Sequence, residues 1–180
     1  MNESDPFSDP YPDRDDIDHD DVDHIVAAWR RERPDLDVSP LEVFSRISRL
    51  ARHLDIARRT SFSHHSLDAG EFDVLAALRR SGAPYAMTPG QLAANTLVST
   101  GTITNRLDRL EEAQLISRAP DISDRRVVSV QLTPFGCERV DATLTELLLR
   151  ERAILASLDL QQQQQLADLL RSLTQGFDIT

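Results

Sequence analysis

The chain has 180 residues, 40% of them hydrophobic and 28% charged, with a formal net charge of −10. That is enough for one domain with a proper core and too little for two large ones. No run of about 18 apolar residues offers a membrane span, the acidic start is unlike a secretion signal, and the single cysteine, Cys137, forbids an internal disulfide, so a reducing cytoplasm is the expected location.

The acidity is concentrated at one end. Residues 1–24 hold ten of the 30 acids against Arg14 alone, and residues 99–130 carry five acids and five arginines. All 20 basic residues are arginine. Residues 1–19 have almost nothing to bury and are expected to be a disordered acidic leader, either merely solvated or competing with an anionic partner for the arginines.

A short amphipathic helix follows over residues 21–33, with Val22, Ile25, Val26 and Trp29 at helical spacing and Pro34 to stop it. Ser39-Pro40-Leu41-Glu42 opens a second helix, with a cap, a proline at its first position and a Glu three residues after the cap. Its apolar line is Phe44, Ile47, Leu50, Ala51 and Leu54. Asp68 to Glu71 repeats the capping pattern for a helix to Arg80 that buries Phe72, Leu75 and Leu78. Ser81 to Pro84 breaks the chain, and residues 85–87 suit a short strand.

Residues 88–133 carry the most information. Thr88-Pro89-Gly90-Gln91 caps a brief helix to Thr96, and Ser99 caps another whose inward side is Ile103, Leu107 and Leu110. Residues 115–118 and 127–132 alternate as strands around a charged tip, 119–126. A polar helix bearing Asn and Arg, followed by an arginine-tipped hairpin, suits the major groove and adjoining phosphates of duplex DNA. Thr133-Pro134 and Asp159 then cap two more helices, with Val140, Leu144, Leu147, Leu148, Ile154 and Leu155 on the first and Leu166, Leu169, Leu170 and Leu173 on the second. Together with the second helix they carry more apolar face than a small reader can cover, and a second copy is the simplest cover.

From about residue 41 to residue 173, roughly three-quarters of the chain, the sequence resembles the MarR family of winged helix-turn-helix regulators. The resemblance rests on EFDVLAALRR (71–80), TPGQLA (88–93), STGTITNRLDRLEEAQLI (99–116), DISDRR (121–126) and VQLTPFG (130–136). It implies a mainly α fold with a small β-hairpin wing: a winged helix-turn-helix domain plus a terminal-helix dimerisation region. The implied organisation is an extra helix and linker at 20–38 after the leader, a dimerisation helix at 39–66, the DNA-binding domain at 67–133 and C-terminal dimerisation helices at 134–177. Ser99, Thr100, Thr102, Asn105 and Arg106 become DNA contacts of the recognition helix, and Arg125 and Arg126 those of the wing, with Asp121 or Asp124 fixing an arginine. Their chemistry suits the role: hydroxyls for phosphate, Asn for adenine edges, Arg for guanine or phosphate. Gln114 departs from the family's usual glycine after the recognition helix; a left-handed conformation there costs Gln about 1 kcal/mol, which leaves a different local turn open.

A finer resemblance, to the urate-responsive branch of that family, concerns Trp29 on the added helix with Asp73, Arg106 and Arg118. It implies a crevice in which arginines, one carboxylate and an aromatic face hold a planar anion. The plainer roles are an aromatic anchor for Trp29, a first-turn acid for Asp73 and a DNA contact for Arg106. Cys137 reads more simply as an inert buried thiol than as a redox sensor. The five histidines lack the clustering of a metal site, and Gln161 to Gln165 line the wet side of the last helix. No phosphate loop, nucleophile elbow or carboxylate pair argues for catalysis, and no cofactor is expected. The expectation is a ligand-responsive homodimeric repressor that binds a palindromic duplex. The competing reading is a protein-interaction adaptor on a winged scaffold without strong DNA binding.

Overall fold

The computed structural model describes residues 19–120 and 127–175, which fall in two compact units, one up to His53 and one from Leu54. Apart from His19 the acidic leader lies outside the described residues, as do positions 121–126 at the wing tip.

In the first unit, α1 (Asp21–Glu32) starts at Asp20, whose side chain and that of Asp23 cap each other's backbone reciprocally. Val22 and Val26 bury against Val38, while Ile25 and Trp29, expected on the same face, stay exposed. Polar contacts from the first part of α2 (Pro40–His64) complete the unit. Arg46 donates to Asp20 from Nε and Nη2, both at 2.9 Å, and to Asp23 at 2.8 Å. Arg49 reaches Asp21 at 2.9 Å. These guanidinium bonds hold the Asp20 carboxyl below its ordinary range and bring Asp23 down to about 2. Glu42, expected to close a capping box, instead accepts from Arg30 at 2.5 Å; a charged partner wins the carboxylate from a neutral amide.

The second unit runs α3 (Ala69–Arg80), β1 (Ala86–Met87), α4 (Pro89–Asn95), α5 (Thr100–Glu112), β2 (Ile116–Pro120), β3 (Val128–Leu132), α6 (Pro134–Ile154) and α7 (Leu160–Thr174), with the end of α2 before them. Asp68, Thr88, Ser99, Thr133 and Asp159 cap their helices as the sequence predicts. Helices α2, α4 and α5 end alike, with Ser66, Leu97 and Gln114 at φ of 55°, 54° and 59°. In each the following amide reaches back five residues: Leu67 to Phe62, Val98 to Ala93 and Leu115 to Leu110. Gln114 thus takes the left-handed conformation itself, although it is not glycine.

Leu75, Leu78, Leu92, Ile103, Leu107, Leu110, Val130 and Val140 form one fully buried core, and Phe62 stacks on Phe72 at 4.8 Å beside it. The expected two-stranded hairpin gains a third strand: β1 pairs with β3, Met87 opposite Val130, giving the order β1-β3-β2. Helix α6 enters against the turn after α5. The Thr133 hydroxyl donates to the Gln114 carbonyl at 2.8 Å, and Gly136 packs so closely on the Leu115 carbonyl that any Cβ there would overlap it. On α6, Val140, Thr143 and Leu147 are buried, whereas Leu144 and Leu148 are exposed. No side chain of α7 is buried, and Leu169 is 66% exposed.

Candidate nucleic-acid interface

Helices α4 and α5 meet at the Leu97 turn, and Ser99 sets the first turn of α5 by accepting from the Thr102 amide at 3.3 Å. The Ile103, Leu107 and Leu110 seam faces the core with at most 2% exposure. At 3.6 residues per turn the opposite side of α5 is then Gly101, Asn105, Asp108 and Glu112, all exposed. Thr102 is exposed beside Ser99, its hydroxyl 3.0 Å from the serine's. The Thr100 side chain lies outside what the structure describes, and so do Asp121, Asp124, Arg125 and Arg126.

The arginines are disposed on two flanks. Towards α3, Arg109 bridges Asp68 at 2.7 Å and Glu71 at 3.2 Å, and the half-buried Arg106 lays its guanidinium over Gly70. Towards β2, Arg118 donates to Asp108 at 2.6 Å, and its backbone amide donates to Glu111 at 3.1 Å. Arg118 Nε is buried with no hydrogen-bond partner among the described residues; Glu111 lies 3.4 Å away, near enough for an ion pair but not a bond. Asp73 is exposed on α3, one turn after Gly70 on the same face. Of the four predicted ligand residues, Asp73 and Arg106 therefore share the α3 flank, Arg118 stands on the other flank of α5, and Trp29 belongs to the first unit at 48% exposure.

Sequence reasoning missed Arg109, Asp108, Glu111 and Gly70. Arg109 sits 41 residues from Asp68, so no local spacing could have paired them. The i, i+3 acids Asp108 and Glu111 read as an ordinary wet face until β2 turns back over them. Among the described residues no three His, Cys, Asp or Glu side chains gather as a metal site would require, and no helix is long and apolar enough to cross a membrane.

The MarR family's sequence profile matches residues 65–127, from the end of α2 into the wing. The chain is 45% identical over 135 residues to the HTH-type transcriptional regulator PecS of Dickeya dadantii, covering 75% of this chain and 81% of that one. The chain belongs to the MarR family. It is accordingly a MarR-type DNA-binding transcriptional regulator, and not an enzyme. A mutant MarR from E. coli complexed with operator DNA has the same fold, with a TM-score of 0.63 at 23% identity over 77% of this chain and 99% of that one. So does BpsR of Bordetella bronchiseptica, whose DNA binding is regulated by 6-hydroxynicotinic acid, with a TM-score of 0.61 at 24% identity, covering 73% of this chain and 92% of that one. The MarR-family winged helix-turn-helix, with its small antiparallel wing and terminal helices, is thus the architecture of the chain.

Proposed function

We propose that the protein is a homodimeric repressor. Each α5 enters the major groove of a palindromic operator, with half-sites about one helical turn apart. Asn105 and Thr102 read or position on base edges and phosphates with Ser99, Thr100 and Arg106, while Arg125 and Arg126 of the wing follow the minor groove and backbone. Asp121 or Asp124 orients one of the wing arginines. One observation carries this reading: α5 buries a clean apolar seam and turns Asn105 outward, while α6 and α7 leave Leu144, Leu148, Leu169 and Leu173 uncovered in a single chain. The likeness to a MarR bound to operator DNA supports the first half.

A small planar anion relieves repression. The finer resemblance assigns it to Trp29, Asp73, Arg106 and Arg118 and suggests urate, and the control of BpsR by an aromatic acid supports an anion of that kind. A ligand that draws Arg106 or Asp73 shifts α5 and lowers DNA affinity by its preference for the shifted state. The test is an anisotropy titration of duplex from immediately upstream of the protein's own gene. Tight binding that weakens steeply with salt is expected, with release on addition of urate. Binding indifferent to millimolar urate and related purines removes the effector assignment, and absence of duplex binding at low salt removes the DNA assignment.

A further inference from the structure

Arg106 is the one arginine of α5 that makes no hydrogen bond or ion pair among the described residues, yet it is half-buried. A guanidinium has five donors and ordinarily finds an acceptor when it leaves water. Here it lies flat against the backbone of Gly70, in the second position of α3, and a Cβ at residue 70 would overlap its Cζ, Nε and Nη2. The space exists only because residue 70 has no side chain. The surroundings do little else to hold the cation there. The N-terminal end of α3 carries the positive pole of that helix, and the two acids beside it are engaged elsewhere: Asp68 caps the helix and pairs with Arg109, and Glu71 completes the capping box and also pairs with Arg109. Asp73, a turn further on, makes no hydrogen bond or ion pair to it and stands exposed on the same face of α3.

We propose that Gly70 is a positioning residue for DNA binding: it provides a resting seat in which Arg106 is withheld from the duplex, so that affinity is set by competition between the seat and phosphate. The proposal rests on the DNA-reading role of α5. Arg106 lies on the flank of α5 next to Thr102, one turn away, so a guanidinium that leaves the seat swings to the side where Ser99 and Thr102 stand. Seated, it keeps its nitrogens within reach of water and gains no acceptor among the described residues, which makes the seat shallow and easily emptied. Gly70→Ala empties it directly. The atoms that must move are the far end of a flexible side chain, and alanine suits a helix better than glycine, so the variant folds and melts no lower than the wild type.

The experiment has two arms. In the first, free protein is treated with phenylglyoxal and labelling of each arginine is followed by mass spectrometry. Arg106 is expected to react several-fold faster in Gly70→Ala, while Arg79, held by two bonds of 2.9 Å to Asp141, reacts unchanged. In the second, a fluorescein-labelled mixed-sequence duplex is titrated at several salt concentrations. Gly70→Ala is expected to bind about 3- to 10-fold tighter, with the slope of log affinity against log salt steeper by about one phosphate contact. Both gains vanish when Arg106→Ala is added. Equal labelling of Arg106 in the two proteins overturns the seat. Faster labelling with unchanged or weaker duplex affinity, in a wild type that does bind, overturns its role in withholding Arg106. A wild type that binds no duplex at low salt defeats the DNA reading itself, and the proposal with it; that result is distinguishable because the labelling difference survives.

Discussion

At the scale of single residues, two positions next to α5 carry opposite costs. Gln114 holds φ at 59° to complete the turn that brings β2 under way, a conformation that strains a Cβ and suits glycine. Gln114→Gly should therefore raise stability by about 1 kcal/mol, a rise in Tm of about 2–4 °C for a chain of this size; a thermal melt with an unchanged or lower midpoint would contradict it. Gly136 is the converse. Its Cα faces the Leu115 carbonyl, backbone that cannot swing aside, so Gly136→Ala should cost about 1–3 kcal/mol by overpacking, read as a lowered midpoint in urea unfolding. For DNA, Arg126→Ala should weaken binding to all duplexes alike, whereas Asn105→Ala should cost about 1–3 kcal/mol on the preferred site and little on others. Competition titrations with matched and scrambled duplexes separate the two, and equal losses for both variants would reverse the assignment.

At the scale of elements, α1 is fastened by charge as well as by its small core of Val22, Val26 and Val38. Its carboxylates Asp20 and Asp23 sit below their ordinary range because Arg46 bonds them. The sign follows: a carboxyl lowered in the folded state contributes fully above its unfolded value near 4, and the contribution is lost as pH falls towards about 2. Trp29, the only tryptophan, reports on α1. Its emission should be constant from about pH 7 to 5 and shift red between about pH 4 and 2. Arg46→Ala should show the shifted spectrum at neutral pH; a variant spectrum identical to wild type would mean that the apolar contacts alone hold the helix. The wing is tied to α5 in a comparable way, through Arg118 and Asp108.

For the whole molecule, the uncovered leucines decide the expectation. A chain of this length buries most of its large apolar side chains when it is complete by itself, yet Leu144, Leu148, Leu149, Leu169 and Leu173 remain exposed on α6 and α7. A second copy covering them explains the pattern and supplies the two-fold symmetry that a palindrome requires. Light scattering should return twice the 20.2 kDa of one chain. Leu169→Glu removes burial worth about 1.5–3 kcal/mol in each copy, which weakens the dimer by about 100-fold or more. DNA affinity should fall with it, and a fully dimeric variant with unaltered affinity would place the interface elsewhere.

Most helix boundaries, caps and apolar seams, though not the Glu42 cap or the Ile25 and Trp29 face of α1, were legible in the chain itself, because each depends on groups within about four residues: Asp68 with Glu71, Thr88 with Gln91, Asp159 with Gln162. Motifs such as STGTITNRLDRLEEAQLI sufficed to point to the family for the same reason, since the recognition helix is one continuous segment. What only tertiary structure decided is the disposition of its cations. Arg109 is drawn to α3, Arg118 to the acids of α5, and Arg106 to the bare backbone of Gly70, while β1 joins β3 across more than 40 residues. Sequence distance does not constrain which charges meet once helices pack, and an arginine reaches far enough to choose among several partners. The chain alone therefore specifies a DNA reader; packing determines which of its arginines are free to read.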